Sequence, residues 1–174
     1  MTQEHADRLM DHDHGPANSL DFDRGRDPKR DASEKAPGKD ILLVEDHPSV
    51  AAATKSFLEV VMRVEGKVVV AGCAEETIEL LRADPCRWRL ILLDLRIPGA
   101  VGLSVAMQIK DLGLASITCL LTGEDRPDYV ATVRDQGFLG YIRKGQKITD
   151  LAAAMTTVLV GRPSFPIVDD QRPC

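Results

Sequence analysis

The chain predicts an α/β fold, a doubly wound five-stranded parallel sheet with helices on both faces. Three observations carry this reading. Short apolar runs rich in β-branched residues recur from Asp40 onward. They are continuous rather than alternating, as in strands covered on both faces. Stretches of helical periodicity separate each run from the next, the pattern of a parallel sheet wound through helical crossovers.

The elements follow in order. The first strand is ILLV at 41–44, and Pro48 then suits a first helical turn, where its missing N–H costs nothing. Val50, Phe57 and Val61 recur at helical spacing and predict the buried face of that helix. KVVVA at 67–71 is the second strand, followed by a stripe of Ala74, Ile78 and Leu81. LILL at 90–93 is the third, with Leu103, Ala106 and Met107 on the helix after Gly102. ITCLL at 117–121 is the fourth; Pro127 opens the next helix, which carries Val130 and Val133. LGYI at 139–142 is the fifth. The last stripe is Leu151, Met155, Val158 and Leu159, stopped by Gly161 and Pro163. Each stripe reads as core packing.

Composition sets the bounds. A chain of 174 residues with 44% hydrophobic content and a net charge of -5 suits one ordinary domain with length to spare. Residues 1–39 are polar, with Leu9, Met10, Leu20 and Phe22 as their sizeable apolar side chains after the initiator. They are expected to form a disordered tail, because too little surface can be buried to offset ordering. Residues 40–161 form the expected domain, and 162–174 a short Pro-containing tail. The tail motif DHDHG at 11–15 has no second ligand cluster and reads as solvated polar chain. Cys73, Cys86, Cys119 and Cys174 form no CxxC pair and follow no signal peptide, which fits reduced thiols in a cytoplasmic protein. The apolar runs are too short to span a membrane. Mild acidity with mixed signs predicts no direct nucleic-acid binding.

Function is predicted by the residues just past each strand. In a doubly wound sheet, sites lie at the carboxyl ends of the strands. The first strand ends in Glu45 and Asp46, the third in Asp94, the fourth in Thr122 and the fifth in Arg143 and Lys144. Clustered carboxylates repel unless a cation lies among them. A hard ion that keeps waters and takes phosphate oxygens fits such a cluster, which points to Mg²⁺. Lys144 suits a phosphate as a point charge, and the Thr122 hydroxyl can donate to another phosphate oxygen. Asp94, central in the row, is the candidate nucleophile for phosphoryl transfer.

Taken together, LLVEDHP, LDLRIPGAVG, LLTG and GYIRKG resemble the response-regulator receiver domain, a CheY-like, flavodoxin-like fold with strand order 2-1-3-4-5. Asp94, Pro98 and Gly102 match its D-x-x-[MI]-P-x-x-x-G spacing, and the resemblance covers residues 39–161. It implies that Asp94 accepts a phosphoryl group from the phosphohistidine of a sensor histidine kinase or a histidine phosphotransfer protein. It further implies that Asp46, Asp94 and the Arg96 backbone carbonyl hold Mg²⁺, with Glu45 acting through water. Thr122 and Lys144 would engage the aspartyl phosphate. Tyr141 stands at the family's aromatic switch position, whose rotamer follows Thr122 and reports to the face of the fourth helix, fifth strand and fifth helix. Arg96 and Glu124 occupy the two positions that tune hydrolysis in this family, and they are expected to pair across the mouth of the site and slow self-dephosphorylation. Ile97 and Gly123 depart from the commonest residues, Met and Ala.

The final strand and helix resemble receivers that normally precede a helix-turn-helix domain, while the chain stops at Cys174; the expectation is a stand-alone receiver acting on an unknown downstream protein target. Alternatives are a phosphate sink in a phosphorelay and a phosphorylation-independent interaction module; homodimerisation through the fourth-helix to fifth-helix face is open. A haloacid-dehalogenase-type phosphatase would need a second acid where Arg96 stands, and a flavin module a Ser/Thr/Gly-rich loop in place of EDHPSV.

Overall fold

The computed structural model describes residues 38–166. The polar residues up to 37, including DHDHG, and those after 166 lie outside the described residues. The elements run β1 (Asp40–Val44), α1 (Pro48–Ser56), β2 (Val68–Ala71), α2 (Ala74–Ala83), β3 (Trp88–Leu93), α3 (Ser104–Asp111), β4 (Thr118–Thr122), α4 (Pro127–Asp135), β5 (Gly140–Arg143) and α5 (Ile148–Leu159). All neighbouring strands pair in parallel, in the order β2-β1-β3-β4-β5. The direction of winding therefore reverses between β1 and β3, with successive strands added on opposite sides of β1.

The period-2 geometry of the strands sorts their apolar side chains into two cores. Leu42, Val44, Ile91, Leu93, Leu120 and Tyr141 face α2, α3 and α4. Ile41, Leu43, Leu90, Leu92, Cys119 and Ile142 face the α1 and α5 side, where Leu58, Met155 and Val158 cover them. Both faces are thus dry, which explains runs with no polar alternation. Cys119 is buried, and burial pushes its thiol pKa up. Among the described residues, no helix is long and apolar enough to cross a membrane.

The first helix departs from its expected stripe. After Ser56 the chain forms a π turn over Phe57–Val61, closed by Met62 N donating to Phe57 O at 3.0 Å. The wider turn advances each residue by less than the α-helical angle, so the apolar stripe slips. Leu58 enters the core with no exposed surface, while Val61 stands 64% exposed. Val50 and Phe57 are half-buried as the spacing predicts.

Asp40 ties three segments together at the amino ends of the strands. Its Oδ1 accepts from Lys67 N at 2.9 Å and its Oδ2 from Arg87 Nε at 2.8 Å. The Lys67 backbone N–H, then the Arg87 guanidinium, hold its carboxyl below the usual Asp pKa. A depressed carboxyl stabilises the fold above its unfolded pKa, and that contribution is lost as pH falls through the folded value. Asp40→Asn is therefore expected to cost about 1–2 kcal/mol at pH 7. The difference from wild type should shrink as pH drops below about 4, in urea titrations at several pH values. A difference that stays constant into that acid range contradicts this assignment.

Beyond α5 the chain does not leave the domain at once. Ser164 forms an isolated parallel bridge to Gly140, and Phe165 packs against the core on the α4 side.

Candidate functional site

Because the sheet is parallel, the carboxyl ends of its strands share one edge, and the side chains just past them are brought there by topology alone. Glu45 follows β1, Asp94 follows β3, Thr122 ends β4 and Lys144 follows β5. The backbone holds each in place. Glu45 N donates to Ala71 O at 2.9 Å, Asp94 N to Val44 O at 3.0 Å, and Lys144 N to Thr122 O at 2.8 Å.

These positions are buried. Glu45 is 3% exposed, Asp94 8% and Thr122 0%. Two carboxylates removed from water need compensation, and Lys144 supplies it. Its Nζ donates to Asp94 Oδ2 at 2.6 Å and also to Glu45 Oε2. The other oxygens take backbone donors: Arg96 N reaches Asp94 Oδ1 at 3.2 Å, and His47 N reaches Glu45 Oε1 at 3.1 Å.

Asp46 leaves the cluster one cation short. Its Oδ1 is buried without a hydrogen bond, although the His47 Nδ1 stands 2.8 Å away in an ion-pair approach lacking hydrogen-bond geometry. An acceptor desolvated without a donor, beside the Glu45 carboxylate, fits a hard divalent cation. Glu45, Asp46 and His47 offer ligand atoms that all lie within 4.8 Å of one another. His47 is the member that the strand-end reading did not single out; its place directly after Glu45 and Asp46 was the available signal.

The remaining candidate residues line the loop from β4 to α4. The Thr122 hydroxyl turns toward that loop and accepts from Glu124 N at 3.2 Å. Arg96 Nε and Glu124 Oε1 stand 3.7 Å apart, and the Arg96 guanidinium lies close to Gly123. Tyr141 is 1% exposed, and its hydroxyl donates to Glu124 O at 2.9 Å. Burial pushes its pKa up to about 12, so the hydroxyl remains a donor at neutral pH. Arg143 adds an ion pair to Asp125 at 2.8 Å, which the chain pattern alone did not reveal. Across the site, Gly102 has φ +53°, and a Cβ there would come within 2.8 Å of the Tyr129 hydroxyl. The positive φ favours glycine at this turn after Asp94, while the Tyr129 hydroxyl, at the tip of its side chain, can move aside.

A central-strand carboxylate, flanking acids with one unsatisfied oxygen, and an edge-strand lysine define a pocket suited to a cation and a phosphoryl group on a doubly wound sheet. The chain matches the model of the response regulator receiver domain over residues 41–156, and it belongs to that family of two-component signalling proteins. Phosphorylation on aspartate is the general property of the family. The chain is 30% identical over 124 residues to the transcriptional regulatory protein DesR of Bacillus subtilis, covering 70% of this chain and 59% of DesR. It is 30% identical over 122 residues to the nitrate/nitrite response regulator protein NarL of Escherichia coli, covering 70% of this chain and 55% of NarL. The chain thus spans less than two thirds of the length of these curated relatives. A solved two-component response regulator of the LuxR family from Aurantimonas superposes with a TM-score of 0.62 at 26% identity, covering 73% of this chain and 89% of that one.

Proposed function

We propose that Asp94 is the phospho-acceptor of this receiver, taking a phosphoryl group from the phosphohistidine of a sensor histidine kinase or a histidine phosphotransfer protein in the cytoplasm. The observation that carries the proposal is the buried Asp94 carboxylate held 2.6 Å from Lys144 Nζ beside an acid pair with an unsatisfied oxygen. An Asp94 carboxylate oxygen attacks phosphorus; the P–O bond forms as the P–N bond breaks. The departing imidazole nitrogen keeps the bonding pair and takes a proton from solvent.

Asp46 and Asp94 would hold Mg²⁺, with the Arg96 backbone carbonyl as a third protein ligand and Glu45 acting through water. When bound, the ion supplies positive charge against the phosphoryl oxygens. Lys144 contributes a preorganised second positive charge at Asp94 Oδ2, half-buried and oriented. The Thr122 hydroxyl would leave Glu124 N and donate to a phosphoryl oxygen. Tyr141, bonded to the carbonyl of the same Glu124, would carry that rearrangement to the face of α4, β5 and α5, where binding of a downstream protein changes.

Incubation with Mg²⁺ and acetyl phosphate is expected to add one labile phosphoryl group to wild type and none to Asp94→Asn by intact-mass analysis. A wild type that takes up nothing, with rapid hydrolysis excluded by quenching over short times, would instead assign the domain to phosphorylation-independent binding.

The pair of Arg96 and Glu124 screens the mouth of the site and slows attack by water. Arg96→Ala is expected to shorten the lifetime of the adduct about two- to fivefold, the rate equivalent of the ~1 kcal/mol at most that an exposed ion pair is worth. An unchanged lifetime contradicts the tuning role.

A further inference from the structure

The segment that follows α5 forms a strap on the open edge of the sheet. Ser164 N donates to Leu139 O at 3.0 Å, and Tyr141 N donates to Ser164 O at 2.8 Å. This closes part of an edge that β5 would otherwise present unpaired. The approach is close: a Cβ at Gly140 would meet Ser164 O at 2.5 Å and Cys119 Sγ at 3.0 Å. Phe165 anchors the strap by packing against the core on the α4 side, with the Arg134 guanidinium of α4 5.0 Å from its ring centroid.

Pro163 and Pro166 bracket this contact. Neither has an N–H to donate, so the segment cannot zip onward into a sixth full strand. The strap is therefore held by one bridge and one aromatic anchor, a small contact of the kind that opens locally without unfolding the domain.

The contact also joins the site by an unbroken sequence of hydrogen bonds and covalent backbone. Glu124 N donates to the Thr122 hydroxyl at 3.2 Å, Tyr141 OH donates to Glu124 O at 2.9 Å, and Tyr141 N donates to Ser164 O. The strap rests on α4, which follows the loop carrying Glu124, and on β5, whose Tyr141 bonds to that loop.

We infer that residues 163–165 are a releasable cover over the β5 edge and the adjoining side of α4, and that phosphorylation of Asp94 loosens it through Thr122, Glu124 and Tyr141. This inference rests on the reading of Asp94 as the phospho-acceptor. When the Thr122 hydroxyl turns to the phosphoryl group, Glu124 N loses its acceptor and the loop shifts. Tyr141 then loses the position that holds its amide against Ser164. Release bares the edge and the seat of Phe165.

The test is amide hydrogen exchange at Tyr141 and Ser164 in the full chain, with and without Mg²⁺ and acetyl phosphate, with adduct occupancy read in parallel by mass. Exchange at both amides is expected to rise at least tenfold in the phosphorylated protein. Phe165→Ala should raise it without phosphorylation. Tyr141→Phe, which keeps the ring but deletes the bond to Glu124 O, should accept the phosphoryl group and show little further rise. A confirmed adduct with exchange changed less than twofold overturns the coupling alone. Tyr141→Phe responding like wild type overturns the route through Glu124. Absence of any adduct overturns the reading of Asp94, and the coupling falls with it.

Discussion

Lys144→Ala is expected to slow phosphoryl uptake from a small donor by about 10²–10³-fold, the range observed when one preorganised donor to developing charge is removed. The lysine is shared by two buried carboxylates, Asp94 and Glu45, and is placed by a backbone bond from its own N to Thr122 O at 2.8 Å. Its loss leaves Glu45 and Asp94 without that neighbour. Two buried carboxylates are then left uncompensated, and the positive charge that would support the transferred group is lost. Lys144→Arg should recover part of the rate, because the charge returns with a different shape and reach. Uptake within threefold of wild type for Lys144→Ala, with the fold intact by circular dichroism, contradicts this role.

The second large effect is on stability. Leu92 has no exposed surface and lies in the middle of β3, its Cα opposite Leu43 on one side and Cys119 on the other. It contributes to the core beneath α1 and α5. Leu92→Ala removes buried methyl groups where strands on both sides restrict collapse, at an expected cost of about 3–5 kcal/mol. Against a typical total of about 5–15 kcal/mol this is a large fraction. The urea midpoint should fall markedly with little change in slope. A loss under about 1 kcal/mol would show that this position repacks freely, contrary to its place in the sheet.

Much of this architecture is legible in the chain because burial on both faces writes strands as uninterrupted apolar runs. All five expected strands are present, and ILLV and LILL fall within β1 and β3. β3 begins earlier than expected, at Trp88, because a 3₁₀ turn over Pro85–Arg87 delivers the chain directly into it. The exchange of Val61 for Leu58 was not legible: a π turn changes the helical period without altering residue types. The strand-end acids and lysine were legible because parallel topology converts a list of chain positions into one edge. Tyr141 was legible as a strand aromatic, but its bond to the Glu124 carbonyl depends on loop conformation. The Ser164 bridge was less visible still. A strand edge accepts many sequences, and the tight approach at Gly140 shows only when the two segments are placed side by side.

The most direct measurement of the central claim is the chemical identity of the phosphorylated residue. After brief exposure to Mg²⁺ and acetyl phosphate, borohydride reduction should convert the acyl phosphate to homoserine, and peptide mass spectrometry should place that change at residue 94 alone. Conversion at Asp46, Glu45 or any other carboxylate, with residue 94 unchanged, would contradict the assignment of Asp94 as the acceptor.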